Sequence, residues 1–246
     1  MNERLNTSIS LIVCDSIYKA VDEAINVFKD LTKNKPISIL LSGGSTPIPF
    51  YNRLSKLEIE WNGISLLATD ERIVSFKNKN SNTGMINKKL LSQIKSASLP
   101  LLIRDYPQNN KDINIKLEKL AIKLNNDYPP KVAFLGIGSD GHTAGLFNSF
   151  DSNLINNQFT ITKRNNEKFK RVSISMESLL AIPNLIFFIT GKNKHSILKE
   201  VFSGKDLEKK YPFFLLLKKH KGTKMIICDR AAAPDFIPKG KTSFSL

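Results

Sequence analysis

Cysteine and histidine are scarce in this chain of 246 residues, which holds two of the first and three of the second. Cys14 and Cys228 both lie in apolar runs, where they read as small core residues and not as a disulfide or metal site. No clustered Cys/His spacing accompanies the histidines, so a zinc site is not expected. The first residues lack the apolar stretch of a signal peptide. No apolar run approaches bilayer-spanning length; the stretch 179–190 is interrupted by Pro183 and Asn184. A soluble, cytoplasmic protein without membrane association is expected. Internal repeats are absent and no segment reads as a domain boundary, so residues 1–246 are expected to form a single domain. A 41% hydrophobic content is enough for an α/β core of that size.

Acidic residues are outnumbered by basic ones, 22 against 37, giving a formal net charge of +15. Such an excess suits nucleic acid, a membrane surface or an anionic small molecule. The basic residues are spread along the chain, however, with no RNP-type aromatic motif, zinc-finger spacing or basic heptad segment. A solvated lysine-rich surface is the expected reading, and nucleic acid is not an expected partner.

Short apolar runs alternate with helical patterns. Strands are expected at 10–13, 37–41, 64–68, 132–135, 172–175, 185–189 and 225–228. The first helix, capped by Asp15 or Ser16, carries Ile17, Ala20, Val21, Ala24, Phe28 and Leu31 at a period near 3.6. Further helices are expected at 47–57, from a cap at Asn82 through Leu91, around Ile113, Leu117, Leu120 and Leu124, and at 194–202. Residues 75–80 and 153–170, rich in Asn and Lys, read as surface loops. The βαβ rhythm implies an α/β fold with a mostly parallel, Rossmann-like sheet and helices on both faces. Ligands of such sheets sit outside the carboxyl ends of the strands. That rule selects residues 42–46, 69–72, 136–142 and 191–194.

Each of these four segments has site chemistry. Ser42, Gly43, Gly44, Ser45 and Thr46 lead into a helix, where free N–H groups and the helix dipole favour an anion. Without the Gly-Lys-Ser/Thr of a Walker A loop, a monophosphate is expected in preference to a nucleoside triphosphate. Asp70, Glu71 and Arg72 put two carboxylates beside a guanidinium, for acid/base work or to aim the arginine at an anionic oxygen. Lys194 stands where a helix dipole disfavours a cation, which a bound phosphate would explain. Arg171 is a second cation candidate, with Lys163, Arg164, Lys168 and Lys170 as competitors. Gly136, Gly138 and Gly141 fit the dinucleotide spacing, but residues 156–161 hold no acid for a ribose, so no nicotinamide or flavin is expected. His142, alone among the histidines in a glycine-rich strand-end loop, is the general-base candidate. His195 and His220, with lysine neighbours, read as surface residues.

Together these segments resemble the 6-phosphogluconolactonase family: LSGGSTP (41–47), a tryptophan, a strand and DERIV (61–74), SN (81–82), FLGIGSDGHTAGLF (134–147), RVSIS (171–175), TGKNK (190–194) and CDRAAA (228–233). They occur in the family's order over most of the chain. The resemblance implies hydrolysis of 6-phospho-D-glucono-1,5-lactone to 6-phosphogluconate in the oxidative pentose phosphate pathway. It implies the three-layer fold shared with glucosamine-6-phosphate deaminases and ribose-5-phosphate isomerases, with no metal or organic cofactor. On this footing His142 activates water and Asp140 orients it. Arg72 or the backbone amides of 138–141 receive the oxyanion, and residues 42–46, Arg171 and Lys194 hold the phosphate. The expected state is a monomer or small homo-oligomer. Ser75, Asn148 and Arg230 depart from the family's pattern, at positions that bear on loop shape. The deaminases share SGGSTP, Asp70-Glu71 and Asp140-Gly141-His142, but have a glutamate soon after the histidine; residues 143–150 here have none. Sugar-phosphate-sensing regulators of this fold carry a DNA-binding segment, for which the leader before Ser10 is expected to leave no room.

Overall fold

The computed structural model describes residues 8–147, 153–164, 167–203 and 205–245. The strands β1 (Ser8–Cys14), β2 (Ile37–Leu41), β3 (Ile64–Ala68), β5 (Leu101–Leu102), β6 (Pro130–Leu135), β10 (Asn184–Ile189), β11 (Thr223–Asp229) and β12 (Gly240–Ser245) form one eight-stranded sheet. Its order is β12-β1-β11-β10-β6-β2-β3-β5. Every neighbouring pair is parallel except β1 and β12. All five residues of β2 and of β3 are buried, as central parallel strands covered on both faces must be. The α/β class and mostly parallel sheet expected from the sequence are present.

Aromatic side chains show how the faces are covered. Phe28 of α1 (Ile17–Leu31) and Phe50 of α2 (Ile48–Leu54) meet Phe134 of β6, at 5.9 and 5.3 Å between ring centroids, and Phe50 also meets Phe188 of β10 at 6.1 Å. The next residue back, Phe187, must point to the opposite face of the sheet. It packs at 4.8 Å on Phe213 of α7 (Pro212–Lys219). Helices therefore lie on both faces.

A second, four-stranded antiparallel sheet departs from the expected topology. It runs β4 (Asp70–Arg72), β9 (Arg171–Ile174), β8 (Phe159–Thr162), β7 (Asn153–Asn156). The expected strand at 172–175 thus belongs here and not to the main sheet. Residues 153–170, expected as a surface loop, contain two of its strands, because these strands are short and flanked by polar residues that mask the alternation. Asp70–Arg72, expected as a loop, pairs with β9, Asp70 opposite Ser173 and Arg72 opposite Arg171. Helix α3 (Asn82–Lys89) is capped by Ser81, whose hydroxyl accepts from Gly84 N, so Asn82 is its first residue and not its cap. α2 ends at Leu54, three residues short of the expected limit, and α7, β5 and β12 have no counterpart in the sequence reading. Helix α4 (Ile113–Asn126) follows its expected apolar positions; α5 (Met176–Ala181) and α6 (His195–Val201) flank β10.

Candidate active site

The strands β10, β6, β2 and β3 are consecutive neighbours in the sheet. Their carboxyl ends deliver the four segments selected from the sequence to one edge, where they surround a cleft of about 210 Å³. Ser42, Gly43, Gly44, Ser45, Thr46, Arg72, His142, Arg171 and Lys194 all line it. Asp140 does not; it stands behind His142. Two buried tyrosines anchor the strand ends beneath: Tyr51 donates to the carbonyl of Ser42 at 2.7 Å, and Tyr106 to that of Ala68 at 2.6 Å.

Asp140 Oδ1 engages His142 Nδ1, and Arg164 donates to Asp140 Oδ2. With a carboxylate on Nδ1, that nitrogen carries the ring proton and Nε2 keeps its lone pair. Burial pushes the His142 imidazolium below its usual range, against the opposing pull of Asp140, and the Arg164 cation lowers it further. Burial works against the charge on Asp140, but its hydrogen bond to His142 and the nearby cations hold the carboxyl below the ordinary value. Gly138 makes this arrangement possible. A Cβ there would lie 2.0 Å from His142 Nδ1 and 2.2 Å from Asp140 Oδ1, well inside contact distance.

The opposite wall is the 42–46 turn. Among the described residues, the amides of Gly43, Gly44, Ser45 and Thr46 donate to no protein acceptor, whereas Ser42 N bonds to Phe134 O and Ile48 N to Ser45 O. Such a run of unpaired N–H groups forms an anion-binding concavity. Lys194, buried in the turn after β10, is lowered by desolvation, against a weaker pull from Asp140, and makes no ion pair within 4.0 Å among the described residues. Its turn is pinned by Asp229, which accepts from Gly191 N at 3.0 Å and Ala232 N at 3.0 Å.

The two carboxylates after β3 part company. Glu71 accepts from Ser81 Oγ at 3.0 Å and from the amides of Asn82 and Thr83, each at 2.7 Å. It holds the start of α3 and takes no part in the cleft lining. Asp70 lines the cleft, accepts from Asn82 Nδ2 at 3.1 Å and pairs with Arg171 Nη1 at 3.1 Å. Glu167 holds the other edge of Arg171 at 2.9 and 2.5 Å. The Asn82 amide in turn fills the space in which a Gly43 Cβ would have to sit, 2.2 Å away. Arg72 donates Nη1 to Asn80 O at 2.7 Å, while its Nε is buried without a partner. Desolvation and the like charge of Arg171 both lower Arg72.

Two expectations are overturned by the geometry. Gly138 N donates to His142 O at 2.8 Å and Gly141 N to Gly138 O at 3.1 Å, so these two amides hold the loop closed and are not free to receive an oxyanion. His220 is not a surface residue: it is buried, with Nε2 2.6 Å from Ile182 O, while the exposed neighbours Lys219 and Lys221 keep the segment polar in sequence. His195 is only partly buried, its Nε2 3.9 Å from Asp235. Asn82 and Glu167 are not expected as site residues from the sequence, and Asp70 and Arg164 enter there only as one of two carboxylates and as one of several competing cations. SN before a helix and the acid after β3 were visible, but their partners lie far along the chain. Of the departures from the family's pattern, Arg230 braces its own turn through the carbonyls of Ile237 and Ala233, Ser75 closes the turn to Asn78, and Asn148 lies outside the described residues. Among the described residues no three His, Cys, Asp or Glu side chains gather as a metal site requires, and no helix is long and apolar enough to cross a membrane.

Fold and cleft together define an α/β protein with a histidine–aspartate pair and an anion cradle in one cleft at the carboxyl ends of a parallel sheet. The profile of the family described as glucosamine-6-phosphate isomerases/6-phosphogluconolactonase matches residues 12–226, and the chain belongs to that family. The 6-phosphogluconolactonase of Helicobacter pylori (strain ATCC 700392 / 26695) is 32% identical over 190 residues, covering 74% of this chain and 81% of the relative. The solved structure of devB protein has a TM-score of 0.80 at 22% identity, covering 91% of this chain and 98% of devB. A monomeric glucosamine-6-phosphate deaminase of the NagB superfamily has a TM-score of 0.75 at 20% identity, covering 90% and 98%. At those identities the two structures speak for the fold alone.

Proposed function

We propose that this chain is a carboxylic-ester hydrolase that converts 6-phospho-D-glucono-1,5-lactone to 6-phospho-D-gluconate, and that it works as a single domain over residues 1–246. The observation that carries this reading is His142, its Nδ1 held by Asp140, lining one cleft with the unpaired amides of 43–46. Nε2 of His142 takes a proton from water as the water oxygen bonds to the lactone carbonyl carbon. The carbonyl oxygen becomes an oxyanion, for which Arg72, a cation of the cleft lining whose Nε has no partner, is the candidate, since the Gly138 and Gly141 amides are already engaged. The tetrahedral centre then collapses, the ring C–O bond breaks, and the imidazolium returns its proton to the departing ring oxygen.

The phosphate belongs with the 42–46 turn and Lys194, which fixes the carbonyl near the base. Arg171 is the weaker phosphate candidate, because Asp70 and Glu167 already take up its guanidinium. Its charge stiffens the cleft wall beside Arg72. The absence of a glutamate in 143–150 favours the lactonase over the deaminase reading within the family.

The test generates the lactone in situ and follows its loss above the spontaneous rate, with ammonia release from glucosamine 6-phosphate as the rival assay. Accelerated lactone loss without ammonia is expected; the reverse pattern sinks the reading. Lys194→Ala is expected to raise KM about tenfold to a hundredfold with a smaller effect on kcat, as loss of a charge-assisted contact to a non-reacting group should.

A further inference from the structure

Asp140 has two carboxylate oxygens, and only one is used by His142. Arg164, in the connection from β8 to β9, takes the other. Its guanidinium lies 4.7 Å from the centre of the Phe147 ring, and that ring lies 4.9 Å from the His142 ring. Arg171 stands 5.4 Å from the same ring. Arg164 is thus connected to the imidazole by two routes, one through the carboxylate and one through the aromatic ring. It is absent from the cleft lining.

We propose that Arg164 is a positioning residue for the His142–Asp140 pair: by holding the outer oxygen of Asp140 while lying on Phe147, it keeps the carboxylate from pivoting and the imidazole turned with Nε2 available to the cleft. This rests on the reading of His142 as the base. The Asp140 side chain is 46% exposed, and a carboxylate held at one oxygen can rotate about its own axis. A second, charge-assisted contact at the other oxygen removes that freedom. Exposed ion pairs of this kind add little to folding, so the stability of the chain does not account for the placement. Three charged groups act on His142: Asp140 from its own loop, Arg164 from the β8–β9 connection, and Asp70 from β4. Lys194, across the cleft, couples to Asp140. Among these, Arg164 is the cation that opposes protonation of the imidazole. Its loss leaves the ring both less ordered and more basic.

The experiment uses the full chain with Arg164→Ala, Arg164→Lys and, as a control, Lys168→Ala, an exposed cation of the same connection. Steady-state kinetics on the phospholactone give kcat, KM and the acid limb of kcat/KM. NMR titration gives the His142 midpoint directly, the His142 signal being assigned by its disappearance in His142→Gln. Arg164→Ala is expected to lower kcat on the order of tenfold, less than the hundredfold that a 1 Å misplacement can cost. KM should stay within about twofold. The acid limb and the NMR midpoint should both move to higher pH. Arg164→Lys, which keeps the charge, should restore the midpoint and most of kcat, and Lys168→Ala should move neither. An Arg164→Ala enzyme with wild-type midpoint and kcat overturns the proposal, as does one whose only defect is a raised KM. If His142→Gln itself keeps full kcat, the base reading fails and the proposal with it; if His142→Gln loses kcat and Arg164→Ala changes nothing, the proposal alone fails.

Discussion

His142 is drawn two ways, by burial and Arg164 toward the neutral ring and by Asp140 and Asp70 toward the imidazolium. Burial wins, and the sign has a kinetic consequence. A base is active when deprotonated, so a depressed imidazolium keeps it active into more acidic solution. The acid limb of kcat/KM is expected below 6.5, the unperturbed histidine value. A limb above that value in the free enzyme contradicts the electrostatics described here. Which side chains this scale made legible in the sequence depended on reach. Ser42, Gly43, Gly44, Ser45, Thr46, Asp140 and His142 are recognised from neighbours within a few positions. The Asp70–Arg171 pair spans 101 residues and the Arg164–Asp140 pair 24, so no local pattern announces either. The buried His220 shows the converse, since its lysine neighbours describe the segment and not the ring.

At the scale of elements, the turn after β6 matters most. Gly138 leaves room for the imidazole and carboxylate to lie against the backbone, and Ala144 adopts φ 49, a left-handed conformation costly for a residue with a Cβ. Gly138→Ala is therefore expected to give a folded protein whose kcat falls on the order of a hundredfold, because the added Cβ must displace His142 and Asp140. Circular dichroism establishes the fold and steady-state assay the loss; unchanged kcat would show that the pair tolerates displacement. The central strands were legible because β2, β3, β6 and β10 are apolar runs followed by glycine or hydroxyl-rich turns. Of the second sheet only β9 was, since β4 is three residues long and charged, while β7 and β8 lie in an Asn-rich stretch. The α3 cap shifted by one residue because Ser81 and Asn82 are both competent caps, and the Asn82 side chain is instead claimed by Asp70.

At the scale of the molecule, function follows from strand order. Four loops that are distant in sequence come together because β10, β6, β2 and β3 are adjacent and parallel, so their carboxyl ends share an edge. The second sheet then brings Arg72 and Arg171 to the same cleft, and its β8–β9 connection sets Arg164 against Asp140 outside the lining. The net charge of +15 adds a field that favours the approach of an anionic substrate, an effect that salt weakens. On the proposed function, this edge holds a phosphate-anchored lactone against a histidine base. The most direct test is kcat of His142→Ala on lactone generated in situ, corrected for spontaneous hydrolysis. A fall of about 10²- to 10⁴-fold, with KM little changed, is the result predicted for loss of a general base; a wild-type kcat in that variant would contradict it.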